Sequence, residues 1–371
     1  MNWCTSCVTP DTRPNVTLDA NGVCNACDAA AMKLEIDWKQ RAESFIAVVD
    51  AAKARNRDYD CVIPVSGGKD SHWQVIKCLE LGLNPLCVTW KAPSRTAIGQ
   101  ANLQNLINLG VDHIDWQINP FAEKKFLVKA LDRFGATAIP MHMALFNIPL
   151  KVAVKFDIPL VVWGENSAFE YGGKEDERMG FLLDTTWLKK YGIAHGTTWK
   201  DWVDADLSEA ELSGYKGPTP EELEAKGIKA VFMGYYYAWD PEASFKAASA
   251  RGFKRAESAK TGLYDYADID DDFISLHHYL KWYKFGFTRL FDNLSLEIRN
   301  GRTTRDQAIA VIKQIGDQTP HRDIETFCSH VGMSKLEFFE RIEKFRNPEV
   351  WQQENGTWKI KNFLIRDWNW S

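Results

Sequence analysis

The stretch "CVIPVSGGKDSHW", residues 61–73, decides the fold. An apolar run from Cys61 to Val65 reads as a buried strand, two glycines break it, and a helix restarts at Asp70 and Ser71. A strand, a glycine turn and a helix start gather several backbone N–H groups around one concavity, which is an anion site. Gly67 and Gly68 permit positive φ and close approach, Lys69 adds charge, and Ser66 and Ser71 add hydroxyls. The spacing G-x-x-x-x-G-K-[ST] is absent, so transfer or hydrolysis at a γ-phosphate is not what the loop suggests. Taken without its neighbours, "SGG" would be a glycine turn before a helix.

Outward from the loop, apolar runs ("PLCVTW", "HIDWQI", "IPLVVWG") alternate with helical periodicity, and Gly82 and Gly110 stand as helix stops. The alternation predicts an α/β fold, a doubly wound parallel sheet covered on both faces. Ligands of such sheets bind beyond the carboxyl ends of the strands, at Ser66–Ser71, Thr89–Lys91 and Trp163–Asn166. After about residue 180 the alternation fades into Trp- and Tyr-rich helical patterns. The expected organisation is a cysteine segment at 1–33, the α/β domain at 34–180, and a mainly helical cover at 181–371.

Composition sets the class. The 371 residues are 45% hydrophobic and 26% charged, enough apolar surface for a core. A net charge of -5 argues against a protein whose main work is gripping nucleic acid. No apolar run approaches the ~18 residues of a membrane helix, and "MNWCTSCVTP" lacks the regions of an export signal, so a cytoplasmic location away from the membrane is expected.

Four of the eight cysteines form C-x2-C-x16-C-x2-C: Cys4, Cys7, Cys24 and Cys27. Each CxxC knuckle aims two thiolates at one ion, and the "DANG" turn brings the second knuckle back to close a tetrahedron. Four sulfur ligands leave no open position, so the predicted Zn2+ is structural, with a redox or sulfur-carrying role as the alternative. Cys61, Cys78, Cys87 and Cys328 are scattered and read as small buried hydrophobes.

The full "VSGGKDS" resembles the loop of the PP-loop ATP pyrophosphatases, adenine nucleotide alpha-hydrolase-type domains whose motif is SGGxDS. The resemblance implies that Ser66, Gly67, Gly68 and Ser71 cradle the pyrophosphate of ATP, that Lys69 offsets its charge, and that Asp70 helps place Mg2+. Thr89, after the next strand, joins this nucleotide set. It also implies activation by AMP transfer, with AMP and pyrophosphate released. For Asp70 the plainer reading is an acidic residue favoured in a helix's first turn.

A second resemblance runs along most of the chain. "WCTSCVTPDTRP", "VSGGKDSHWQ", "NLQNLINLGVD", "IPLVVWGENSAFEYGG", "MGYYYAWDP" and "KFGFTRLFDNLSLEIRNGRTTRDQAI" resemble the N-acetyl sugar amidotransferases of bacterial surface-polysaccharide biosynthesis. What this implies is an amide oxygen attacking the α-phosphorus of ATP, an imidoyl adenylate, and ammonia displacing AMP to leave an acetamidino group. The implied substrates are nucleotide-linked or free diacetamido sugars, uronic or nonulosonic acids. A nucleophilic cysteine of a built-in glutaminase is expected neither at Asn2 nor in spare length, and the resemblance implies a separate glutaminase with a cyclase-like subunit. Two alternatives stay open: tRNA thiolation, disfavoured by the acidic charge and by the lack of a further CxxC, and another ATP-dependent nitrogen transfer to a small molecule.

Glu165 and Asn166 follow a buried-looking strand and are assigned to substrate orientation, Glu165 also as a candidate base, against the plain alternative of a cap or loop contact. Tyr171, Gly172 and Gly173 form a candidate flap. Arg289, Arg299 and Arg302 offer forks for a sugar carboxylate or phosphate, or pair with nearby acids on a solvated face. His142, His277 and His278 lack metal spacing and read as packed or surface residues.

Overall fold

The computed structural model describes residues 1–370. Four short strands arise where the apolar runs predict them: β1 (Cys61–Pro64), β2 (Pro85–Trp90), β3 (Asp112–Trp116) and β4 (Leu160–Trp163). A fifth, β5 (Lys229–Phe232), comes from the region expected to be mainly helical, and pairs in parallel with β4 from Leu160↔Lys229 to Trp163↔Phe232. The sheet therefore runs past residue 180, because "KAVF" is too short to announce a strand until β4 offers it an open edge.

The strand order is β3-β2-β1-β4-β5, all parallel. From β1 the chain winds one way to β3, then returns to β4 and winds the other way. The switch falls between β1 and β4, where a crevice opens beyond the strand ends. Alternation along the strands feeds two cores. Cys61, Ile63, Leu160 and Val162 pack with Phe45 and Val49 of the helix Trp38–Lys53 and with Val75 and Cys78. Val62, Val161, Trp163 and Phe232 pack on the other face with Phe126, Met143, Ile148 and Val152. Both faces are covered by helices, as an all-parallel sheet requires.

The C-terminal part is a helical layer, with helices at Ile274–Phe285, Arg289–Arg299, Arg305–Ile315, His321–Val331 and Lys335–Glu343, followed by an antiparallel hairpin of β6 (Trp351–Glu354) and β7 (Thr357–Ile360). The two ends of the chain meet: Trp3 Nε1 donates to Asn362 O at 2.9 Å and its ring lies 5.7 Å from that of Phe363. Among the described residues no helix is long and apolar enough to cross a membrane.

Candidate active site

The loop after β1 is preorganised by its own side chains. Ser66 N–H donates to Ser71 Oγ at 3.1 Å, and Gly68 N–H donates to Ser66 Oγ at 3.2 Å. Gly67 sits at φ +87°, and a Cβ there would lie 2.6 Å from Leu103 N, so this position needs glycine for conformation and for space. The helix that follows, Lys69–Glu80, starts with Gly68 as its N-cap and turns its free N–H groups toward the loop. Lys69 is buried, 2.5 Å from Asp70 Oδ2, and Asp70 Oδ1 accepts from Trp239 Nε1 at 2.9 Å.

Across the switch point, the end of β4 presents Glu165. Gly234 packs so closely there that a Cβ would lie 3.1 Å from Glu165 Cα. Burial, and then the Asp70 charge, raise the Glu165 carboxyl to about 7, against the pull of a backbone hydrogen bond and of Lys69. A carboxyl so poised exchanges protons near neutrality.

The third wall comes from the C-terminal part. Burial raises the Asp270 carboxyl while a hydrogen bond with Ser66 opposes the rise, which sets Asp270 against the loop. Beside it, Arg289 Nε reaches Asp268 Oδ2 at 3.0 Å and His278 Nε2 lies 3.4 Å from the same oxygen. Burial pushes Asp268 up, yet Arg289 and His278 hold it well below the usual carboxylate range. Asp292 is shared by Arg13 Nε at 2.8 Å and Lys281 Nζ at 3.2 Å, and these cations, with Arg289, hold it low against burial. Burial lowers Lys281 to about 8, with Asp292 opposing. Arg13 carries the cluster to the loop that starts at Glu165, donating from Nη1 to Tyr171 O at 3.0 Å with its guanidinium 5.2 Å from the centre of the Tyr171 ring. Among the described residues Arg13, Lys281 and Arg289 are paired only with Asp268 and Asp292, and three cations to two carboxylates suit an anionic group.

The loop residues Ser66–Ser71 and Glu165 thus flank the switch point and Arg289 is tied to Asp268, two residues from Asp270, whereas four other expected site residues are drawn elsewhere. Thr89 is buried; its hydroxyl donates to Val65 O at 2.7 Å and accepts from His113 Nε2 at 2.8 Å, so it props the strand below the loop and has no donor left for a nucleotide. The Asn166 amide is turned inward, donating to Glu177 O and Gly180 O at 3.2 Å each and accepting from Ala168 N–H and Trp187 Nε1 at 3.0 Å each. The Asn166 amide is thus engaged within the loop that it shapes. Arg302 is closed off by both Glu297 oxygens, at 2.6 and 2.8 Å, and by Asp240 at 2.7 Å. Arg299 donates to Glu170 O at 3.1 Å and stands 4.0 Å from Cys7 Sγ, against the cysteine cluster. For Arg302 the paired reading wins, through Glu297 five residues away and Asp240 brought in by tertiary packing, whereas Arg299 is held by a backbone carbonyl and the cysteine cluster.

Asp268, Asp270, Lys281, Arg13 and Trp239 were not anticipated. The one signal was the carboxylate-dense "DYADIDDD", which has no period and no neighbouring motif to give it meaning.

Away from the crevice, the Sγ atoms of Cys4, Cys7, Cys24 and Cys27 lie within 4.8 Å of one another, with Cys4–Cys27 at 4.0 Å and Cys7–Cys24 at 3.7 Å. Tetrahedral zinc with Zn–S of about 2.3 Å spaces its sulfurs about 3.8 Å apart, so this set fits the ion. Hydrogen bonds from Cys24 and Cys27 lower the Cys4 and Cys7 thiols, and the same bonds raise Cys24 and Cys27, so without a metal the four thiols share their protons. Cys61, Cys78, Cys87 and Cys328 are all buried in apolar cores, away from the loop.

Residues 260–364, less than a third of the chain, match the family model described as LPS biosynthesis protein WbpG-like, C-terminal domain. No curated protein matches the chain. Among solved structures, it is similar to NMN synthetase from Francisella tularensis (14% identity, 52% of this chain and 93% of that one, TM-score 0.26). Others are NH3-dependent NAD synthetase from Campylobacter jejuni subsp. jejuni (13%, 60% and 100%, 0.30) and NAD+ synthetase from Burkholderia pseudomallei (14%, 63% and 95%, 0.27). Likenesses this distant carry no argument about the reaction. The segment matched to a lipopolysaccharide-biosynthesis family is the one that contains Asp268, Asp270, Lys281 and Arg289, with Asp270 set against the phosphate loop.

Proposed function

We propose that the chain is an ATP-dependent amidotransferase that converts an N-acetyl group of a sugar into an acetamidino group during surface-polysaccharide biosynthesis. The observation that carries this reading is the last one above: a wall from a segment matched to a lipopolysaccharide-biosynthesis family faces an anion-binding SGGKDS loop. Ser66, Gly67, Gly68, Lys69 and Ser71 are the groups that would receive the triphosphate. Asp70 and Asp270 are the loop carboxylates that would take the accompanying Mg2+. Lys281 and Arg289 would receive the acidic group of the sugar.

The balance of the reaction is simple. The amide oxygen forms a bond to the α-phosphorus and pyrophosphate leaves. Ammonia then adds to the imidoyl carbon, its surplus proton passes to a base for which Glu165 is placed, and the C–O bond breaks to release AMP carrying the former amide oxygen. Ammonia would come from a separate glutaminase. A sulfur-transfer reading has less support, since the crevice holds no cysteine among the described residues.

The test is incubation with ATP, magnesium, ammonium and a panel of diacetamido sugars carrying ¹⁸O in the acetamido group. The expected result is ¹⁸O in AMP and a sugar lighter than the labelled substrate by about three mass units, which is about one unit below the unlabelled sugar. Release of ADP and phosphate, or AMP free of the label, overturns the reading.

A further inference from the structure

The loop that begins at Glu165 continues as the helix Ser167–Tyr171, five residues long and too short to hold itself. Its outer side is held by the cysteine ribbon and the helix Asn25–Lys33 that grows out of it. Arg13 Nη1 donates to Tyr171 O at 3.0 Å, with the guanidinium 5.2 Å from the centre of the Tyr171 ring. Asn25 Nδ2 donates to Gly173 O at 3.1 Å, and Gly172, at φ +107°, lies so close that a Cβ would stand 2.8 Å from Asn25 Oδ1. Lys33 Nζ reaches Glu170 Oε1 at 2.8 Å and Trp239 O at 2.7 Å, and Trp239 is the residue that holds Asp70. Arg13 also holds Asp292, the counter-charge of Lys281.

We infer that the ribbon acts beyond its own stability: it positions the Glu165–Gly173 loop, and Arg13 is the positioning residue that joins ribbon, loop and cationic cluster. A ribbon serving only as a staple would need none of these contacts, three of which fall on one short segment: the backbone carbonyls of Tyr171 and Gly173 and the Glu170 carboxylate. Arg13 makes two distinct bonds with one guanidinium, and a lysine can replace the ion pair to Asp292 but not both together. The inference rests on the reading of Glu165 given above only for its effect on turnover, because the order of the loop can be measured without a substrate.

The experiment is hydrogen–deuterium exchange by mass spectrometry on the full, metal-loaded chain, comparing wild type, Arg13→Ala and Arg13→Lys, with zinc content and melting temperature measured alongside. Peptides spanning 164–180 are expected to exchange about tenfold faster in Arg13→Ala and to an intermediate degree in Arg13→Lys, while zinc stays bound and strands β1 and β2 stay protected. Stripping the metal from wild type with a chelator should speed exchange in the same peptides. In the AMP-forming assay, kcat should fall about tenfold or more with the KM for ATP unchanged. Unchanged exchange at 164–180 in Arg13→Ala, or after metal removal, overturns the inference. Should Arg13→Ala fail to fold, Asn25→Ala is read by the same exchange criterion. If wild type turns over no sugar, the proposed reaction fails, and the exchange result still decides the positioning role.

Discussion

Glu165 and Asp70 stand on opposite lips of the switch point between β4 and β1, close enough that the Asp70 charge helps raise the Glu165 carboxyl to about 7. Two acids facing each other across a phosphate loop cannot both ionise without cost, and one of them becomes the proton-exchanging group. As a base, Glu165 must be ionised, so turnover should rise as pH increases through about 7. AMP release measured at fixed free ammonia should show that limb. Glu165→Gln should lose it and fall in rate by about 10²–10⁴. A wild-type profile flat across this range would remove Glu165 from the role.

The glycines of the loop should respond unequally. Gly67→Ala meets the backbone of Leu103, which has no room to yield, and leaves alanine at φ +87°. It should destabilise the protein by on the order of 2 kcal/mol or more and raise the KM for ATP. Gly68→Ala meets only the rotatable Ser66 hydroxyl at 3.2 Å and should leave the melting temperature nearly unchanged. Thermal melts of the two variants side by side test the contrast.

Lys281→Met leaves Asp292 paired with Arg13, so the fold should survive while the KM for the sugar rises about tenfold and that for ATP stays put. Arg289→Met leaves Asp268 with only His278 and should cost about 3–5 kcal/mol, because it strands a buried charge. A folded Lys281→Met enzyme with an unaltered sugar KM would count against the cluster as the anion site.

Glu123, on the helix Pro120–Phe134, offers a stability test independent of activity. It is buried, and burial raises its carboxyl to about 8, although Trp90 Nε1 donates to it at 3.2 Å. Its native pKa lies above the unfolded one, so the native state holds the extra proton. Stability from this group is present below about 4 and is lost as pH rises toward about 8. Glu123→Gln should flatten that decline, making the variant the more stable protein at pH of about 8 and above, as denaturant melts across the range would reveal.

The parts of this architecture legible in the sequence are those that depend on near neighbours. Cys61–Pro64, Pro85–Trp90 and Leu160–Trp163 fall where apolar runs end on Gly, Pro or polar residues, and the CxxC pairs locate their own cluster. Lys229–Phe232 was hidden because four residues carry no period, and it becomes a strand only through β4. Thr89, Asn166, Arg299 and Arg302 have the chemistry of site residues, and sequence reveals the chemistry without the partner. Val65 O, Trp187, Glu170 and Asp240 claim them from positions that only the tertiary fold brings near, whereas Glu297, five residues from Arg302, is a partner the sequence itself offers. Asp270 was missed for the opposite reason: an aspartate among aspartates gains meaning only when Ser66 is seen against it.

The meeting of Trp3 with Asn362 and Phe363 has a consequence for biosynthesis. The first cysteines leave the ribosome long before the residues that cover them, an interval of tens of seconds at roughly 5–20 residues per second. During that interval the ribbon has its four thiols but none of its C-terminal packing, and the crevice lacks its third wall. Metal capture can come first, the sheet second, and closure last. An incomplete nascent chain thus holds a phosphate loop without the wall that faces it.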